Sequence, residues 1–150
     1  MHLAGHHLGA ASLEATGDTM GPPIEVATDT LDACLAGLDR TGPVAFIKCD
    51  VEHRELSVFE GGERTLRKDR PILLFESGNL VDGHRFFRPV FAFLESLGYR
   101  GYFFSGRALV PLNRFNVRDF DAPKDENQNF VFLHDERMHV DERVASLVTS

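Results

Sequence analysis

The stretch that decides the fold is Val44–Glu76, VAFIKCDVEHRELSVFEGGERTLRKDRPILLFE. It opens with the largely apolar run VAFIKC at 44–49, which is too short for a helix and is typical of a strand buried on both faces. It closes with a second run of this kind, ILLFE at 72–76. Residues 54–68 between them return to helical spacing. The order predicts a βαβ unit with parallel strands and a right-handed crossover.

Further elements are predicted on the amino-terminal side of this unit. TLDACLAGLDRTG predicts a helix with Thr28 or Thr30 as its N-cap and Gly42 beyond its end. The apolar face of that helix consists of Leu31, Cys34, Leu35 and Leu38. We expect residues 1–23 to be a weakly ordered lead-in, followed by a short strand around Ile24–Val26. Cys34 and Cys49 both fall on apolar faces, so we expect both to be small core residues.

Three strands and another helix are predicted on the carboxyl-terminal side. FFRPVFAFLESLG reads as a helix that stops at Gly98, with Pro89 in its first turn. The aromatic and β-branched segments YRGYFFSG, RALVPL and NFVFLH then suit antiparallel strands that close the edge of the sheet. The resulting α/β domain spans 24–134, and residues 135–150 form a tail.

Composition excludes several classes of function. One domain of 150 residues with a formal charge of -7 repels phosphate backbones, so we expect no nucleic acid and no membrane as partners. The densest basic group is Arg64, Arg67, Lys68 and Arg70, at a predicted helix end where cations complement the helix dipole. Two cysteines without a CxxC motif, no signal-peptide pattern and no long apolar run indicate a soluble cytoplasmic protein. Most of the 13 phenylalanines should be core.

Two carboxylates follow the predicted parallel strands. Asp50 lies just past the first strand, and Glu76 ends the second. Ligands of open α/β sheets bind outside the carboxyl ends of the parallel strands, so both groups are candidate site residues. For Asp50 a structural alternative remains, because it could cap the next helix, with Glu52 and Glu55 favouring its positive end.

Other ionisable groups near this edge allow weaker alternatives. Asp50, Glu52 and His53 have side chains suited to a metal, but the chain has no HxH or HExxH motif, so no metal site is expected. His84 lies in a predicted loop after the second strand and is a candidate substrate contact, or simply a solvated histidine. A metal-dependent hydrolase that uses Asp50, Glu52 and His53 is an alternative function. The chain has no GxSxG motif and no P-loop.

The stretch Val44–Glu76 closely resembles the segment of FkbM-type S-adenosylmethionine-dependent methyltransferases that typically reads FIKIDVEGxExxVLxGAxxTLxxxRPxLLxE. The upstream VATDTLDACL is similar to that family's TLDxLL helix, and FLESLGYRGYFF and ENQNFVFLH are similar to its carboxyl-terminal half. The resemblance covers residues 24–134.

This resemblance implies a Rossmann-like methyltransferase sheet, with parallel strands, helical crossovers and an antiparallel edge hairpin. It implies S-adenosylmethionine as cofactor and a small-molecule acceptor, often a sugar hydroxyl. The matching positions are Asp50, Glu52, Glu55 and Glu76. Asp50, Glu52 and Glu76 are then the candidate catalytic residues, and Asp50 or Glu52 would position or deprotonate the acceptor hydroxyl.

The chain departs from the family pattern in two ways. His53 stands where the family usually has glycine, so it would either crowd the cofactor or contact it, and Asp50 and His53 are the candidate cofactor contacts. No glycine-rich turn follows a predicted strand, so we expect the carboxyl-terminal half of the sheet without its first strands. The strand at 44–49 would then expose an apolar edge, which predicts a homodimer through that edge. A non-enzymatic α/β module that pairs through the same edge is the alternative function.

Overall fold

The parallel strand pair predicted from the deciding stretch is present in the computed structural model of the chain. The structure describes residues 2–3, 11–12, 25–51, 54–76, 87–115 and 129–137. The described strands are β1 (His2–Leu3), β2 (Ala11–Ser12), β3 (Phe46–Cys49), β4 (Ile72–Glu76), β5 (Tyr99–Ser105), β6 (Ala108–Pro111) and β7 (Asn129–His134). The described helices are α1 (Leu31–Ala36), α2 (Glu55–Glu60), α3 (Glu63–Asp69) and α4 (Phe87–Ser96), with 3₁₀ turns at Leu112–Arg114 and Asp135–Arg137.

Five of these strands form one mixed sheet in the order β3-β4-β7-β5-β6. Strands β3 and β4 are parallel, and the other three pairings are antiparallel. The α/β class and the βαβ unit are therefore confirmed, and so are the three carboxyl-terminal strands. The expectation that these strands only close the edge is wrong for β7, which lies inside the sheet between β4 and β5. Strands β1 and β2 pair with each other in a separate two-stranded ladder.

The main core lies between the sheet and helices α2, α3 and α4. Phe75 on β4 is at its centre, with its ring centroid 5.1 Å from Phe59 on α2 and 5.4 Å from Phe132 on β7. Phe91 on α4 extends this aromatic group, 4.9 Å from Phe130. These mostly edge-on contacts suit the ring quadrupoles and confirm that much of the phenylalanine is core. Leu66, Leu73, Val90 and Leu94 are also fully buried.

The single helix predicted over 54–68 is wrong, because the chain forms two helices there. Helix α2 ends at Glu60 and α3 begins at Glu63, with Gly61 and Gly62 in a turn between them. A Cβ at Gly62 would lie 2.7 Å from Cδ2 of Leu31 in α1. Gly62 therefore allows α1 to approach the break.

Helix α1 is anchored to that break by hydrogen bonds. Thr30 is its N-cap, as predicted, and accepts from the backbone N–H of Ala33 at 3.2 Å. The carboxylate of Asp32 accepts from the backbone N–H groups of Arg64 and Thr65, each at 2.9 Å, and from the Thr65 hydroxyl at 2.6 Å. Asp32 thereby satisfies donors in the first turn of α3 that have no partner within that helix.

Three details of the amino-terminal side differ from the predictions. Residues 25–30 contain no strand, so the strand expected around Ile24–Val26 is wrong for the described part. Helix α1 ends at Ala36, before Gly42, and has no fully buried residue, so Cys34 is exposed while Cys49 is buried. Strand β3 is buried only at Cys49, and Phe46 is 51% exposed. Among the described strands β3 pairs only with β4, which leaves its outer side open.

Helix α4 and its stop at Gly98 match their prediction closely. Helix α4 buries Val90 and Leu94, and Leu97 just past its end is buried too. Gly98 has a φ of 87°, a left-handed conformation that favours glycine at a helix stop.

None of the helices within the described ranges has the length and apolar character needed to cross a membrane.

Candidate functional site

The parallel register brings Asp50 and Glu76 to the same end of the sheet. Cys49 is the β3 partner of Phe75 on β4, so the next residue of each strand, Asp50 and Glu76, lies at a common rim. Asp50 is exposed and Glu76 is half-buried. The sequence predicted that Asp50 and Glu76 share one edge of the sheet. That prediction required the two strands to be parallel and aligned. We call the carboxyl ends of β3 and β4 the rim.

Lys48 places a positive charge beside Asp50 at the rim. Its Nζ donates to Oδ2 of Asp50 at 2.8 Å. The hydrogen bond and charge of Asp50 raise the pKa of Lys48, and the charge of Glu76 adds to the effect. The ammonium therefore lies in the field of both acids. Sequence patterning gave Lys48 no role, but its signal was available, since residues two apart on a strand face the same side.

A third carboxylate, Glu55, lies near Cys49, the last residue of β3. It is the first residue of α2 and is only 5% exposed. Burial raises the pKa of the neighbouring Cys49 thiol to about 12, with the charges of Glu55 and Asp50 contributing. Cys49 is thus a protonated core residue and no nucleophile at neutral pH. From the sequence, Glu55 had a structural explanation, because a glutamate in the first turn of a helix favours its positive end.

The capping alternative for Asp50 is wrong. Helix α2 has Arg54 at its N-cap position and no side-chain hydrogen bond caps it. Asp50 instead accepts from Lys48, on its own strand. The structure therefore leaves the Asp50 carboxylate at the rim and removes the helix-capping account of why it is there.

The remaining candidates lie outside the described residues. These are Glu52, His53 and His84, so their predicted roles as catalytic, cofactor and substrate contacts stay predictions. Within the described ranges, no group of three or more histidine, cysteine, aspartate or glutamate side chains could hold a metal ion. The metal-dependent alternative needed Glu52 and His53 beside Asp50, and it gains no support from the part of the chain that is described.

Comparison with known proteins identifies the family of the chain. A family model described as the methyltransferase FkbM domain matches residues 3–100, which is about two thirds of the chain. The chain belongs to the FkbM methyltransferase family. No curated protein and no solved structure matches it significantly.

The FkbM match contains both rim strands and all four described helices. The boundaries of this match differ from the range 24–134 over which the sequence itself resembles the family. The match begins at residue 3, within the predicted lead-in, and ends at residue 100, early in β5. Methyltransferase families in general use S-adenosylmethionine, and the FkbM domain suggests that the chain is a methyltransferase.

Proposed function

We propose that this FkbM-family chain is an S-adenosylmethionine-dependent methyltransferase that methylates a hydroxyl oxygen of a sugar or another small molecule. The observation that carries the proposal is the rim, where Asp50 and Glu76 follow two aligned parallel strands. In open α/β sheets this is the edge at which ligands bind. The parallel pair followed by antiparallel strands also supports a Rossmann-like methyltransferase sheet.

The carboxylates of the rim suit both the cofactor and the methyl acceptor. S-adenosylmethionine supplies a methyl group on a cationic sulfonium, and carboxylates are the complementary charge for such a ligand. A hydroxyl that is methylated must also lose its proton, and a carboxylate within hydrogen-bond reach can accept it. We assign this role to Asp50 or Glu52, with Glu76 orienting the ligand. Lys48 holds the Asp50 carboxylate in place through its hydrogen bond.

His53 and His84 complete the proposed site. His53 occupies the position where family members usually carry glycine, and we propose that it contacts the cofactor. His84 follows β4 along the chain, and we propose that it contacts the acceptor. His53→Gly should change the affinity for S-adenosylmethionine. His84→Ala should leave that affinity unchanged and change only the affinity for the acceptor.

Calorimetric titration of the chain with S-adenosylmethionine and with its demethylated product tests the proposal. We expect saturable binding, weakened at least about tenfold by Asp50→Asn and by Glu76→Gln. Asp39→Asn is the matched control, because Asp39 is also an exposed aspartate but lies beyond α1, away from the rim. Absence of heat at millimolar ligand, or equal weakening by the control, would contradict the proposal.

A non-enzymatic module that pairs through its sheet edge is the second candidate. It is favoured by the exposed apolar side chain of Phe46 on β3, the strand at one edge of the described sheet. An apolar edge strand is a template for pairing with another chain. Pairing and methyl transfer are compatible, because the strand edge and the rim use different parts of β3.

A further inference from the structure

A cleft opens between α1, the loop at 40–43 and α3. One of its cavities, of about 260 Å³, is lined by residues that include Leu35, Arg40, Arg64, Lys68 and Asp69. A neighbouring cavity shares four of these five residues and continues along Thr41 to Pro43. The cleft adjoins Val44 and the carboxyl end of α3, where β3 and β4 begin. It therefore lies at the opposite end of the parallel strands from the rim.

The carboxylates of this cleft are already occupied by protein donors. Asp69 accepts from the Val44 backbone N–H at 2.9 Å and from Arg40 at 3.0 Å. These contacts, the Val44 hydrogen bond first, lower the pKa of Asp69. Burial alone would raise the pKa of Asp32, but its hydrogen bonds from Thr65 and Arg64 hold it below the ordinary value. Both acids thus favour the ionised form near neutral pH and already accept hydrogen bonds from the protein.

The cations of the cleft outnumber these two acids. Arg40, Arg64 and Lys68 come from two different segments and line one cavity, so one positive charge is left over. The Arg64 guanidinium donates to the backbone carbonyl of Asp32 at 3.2 Å, which leaves other N–H donors on that group. In a chain with a formal charge of -7, a local positive excess is unusual.

The positions of Arg64 and Lys68 are unfavourable for α3 by itself. They are four residues apart on the helix, where like charges destabilise it. Lys68 in the last turn suits the helix dipole, as predicted for this basic group, but Arg64 is in the first turn, at the positive end. The dipole therefore explains Lys68 but not Arg64, which is held beside it by its contact with Asp32 of α1.

We propose that this cleft binds a phosphate-bearing small molecule. A phosphate carries up to two negative charges and several acceptor oxygens, which suits two guanidinium forks and an ammonium. Leu35 and Ala36 provide an apolar wall for the organic part of the ligand. The site is separate from the rim and does not depend on methyl transfer.

The test is a titration of the isotopically labelled chain with inorganic phosphate, followed by amide chemical shifts. We expect saturable shifts at the amides of Arg40, Arg64 and Lys68, at constant ionic strength, with a dissociation constant on the order of 1 mM. A sugar phosphate should bind more tightly than inorganic phosphate, and the unphosphorylated sugar should not bind. Lys68→Gln and Arg64→Gln should each weaken binding at least about fivefold.

Arg107→Gln is the matched control, because it removes an exposed cation in the β5–β6 turn, away from the cleft. It should leave phosphate binding unchanged. Lys68 and Arg64 are exposed, so their variants should retain the amide spectrum of the folded chain. Shifts that do not saturate, or that weaken equally in Lys68→Gln and Arg107→Gln, would overturn the proposal. Because the readout is binding of phosphate, failure here is distinct from failure of methyl transfer.

Discussion

Asp69 shows how one buried side chain joins three segments. Its side chain is 5% exposed, and it accepts hydrogen bonds from Val44, ahead of β3, and from Arg40 in the loop after α1. It is also the last residue of α3, directly before the turn into β4. A carboxylate with such partners is stabilised in its charged form, which agrees with its lowered pKa.

The stability of the chain should therefore depend on Asp69 in acid. Because its pKa is lower in the folded chain than in the unfolded one, its contribution is full above the ordinary aspartate pKa and is lost as the pH falls through the folded value. We expect Asp69→Ala to cost about 2 kcal/mol at pH 7, as for other hydrogen bonds to charged groups. Urea unfolding at pH 7 and at about pH 3 should show this loss shrinking in acid. Asp39→Ala should cost little at either pH, and a loss that is independent of pH would contradict the electrostatic account.

At the scale of elements, α1 fixes the break between α2 and α3. The Asp32 backbone N–H donates to the Gly61 carbonyl at 2.9 Å, while the Asp32 side chain caps the first turn of α3. Leu31 packs against Gly62 on the same side. A helix of six residues is not stable alone, so these contacts hold α1 in place.

Asp32→Ala should release α1 and the start of α3 together. We expect a loss of about 1–2 kcal/mol, the usual range for removing a helix cap. Amide hydrogen exchange should show faster exchange at Arg64 and Thr65, because those N–H groups lose their acceptor. Asp32→Asn keeps an acceptor and should recover part of the loss. Asp29→Ala is the control, because the hydrogen bond that Asp29 accepts is local and comes from the adjacent Thr30 N–H. Unchanged exchange at Arg64 and Thr65 would contradict this role.

At the scale of the whole molecule, β3 has a side that no other described strand covers, and we propose that the chain associates through it. Ile72 donates to the Ala45 carbonyl at 3.0 Å, so Ala45 faces β4. Because backbone groups alternate along a strand, those of Phe46 and Lys48 face the outer side. The exposed ring of Phe46 adds apolar area to this edge.

We therefore expect the chain to form a homodimer by pairing of β3 with β3 of a second copy. Four residues bury little area, so the dissociation constant should be micromolar or weaker. Phe46→Asp should raise it at least about tenfold in sedimentation experiments, whereas Leu38→Asp, at an exposed leucine after α1, should not. A monomer at high concentration with protected Phe46 and Lys48 amides would contradict self-pairing and would indicate another segment of the chain on this edge.

Local patterns predicted the elements whose environment is set by nearby sequence. Strand β4, helix α4 with its stop at Gly98 and the three antiparallel strands were all correct, because their apolar residues pack on the main sheet. The shared rim of Asp50 and Glu76 followed from two strands and one crossover. The errors arose where a distant element intervenes, as with α1 at the Gly61–Gly62 break.

The sequence by itself determined the α/β class, the family and the two carboxylates at the rim, because apolar periodicity and a conspicuous motif are properties of neighbouring residues. Only the tertiary structure decided that Lys48 joins Asp50, that Glu55 is buried and that Asp32 caps a helix more than 30 residues away. It also decided that β7 enters the sheet between β4 and β5. Such contacts depend on which surfaces meet after the chain has folded, and no local pattern records that choice.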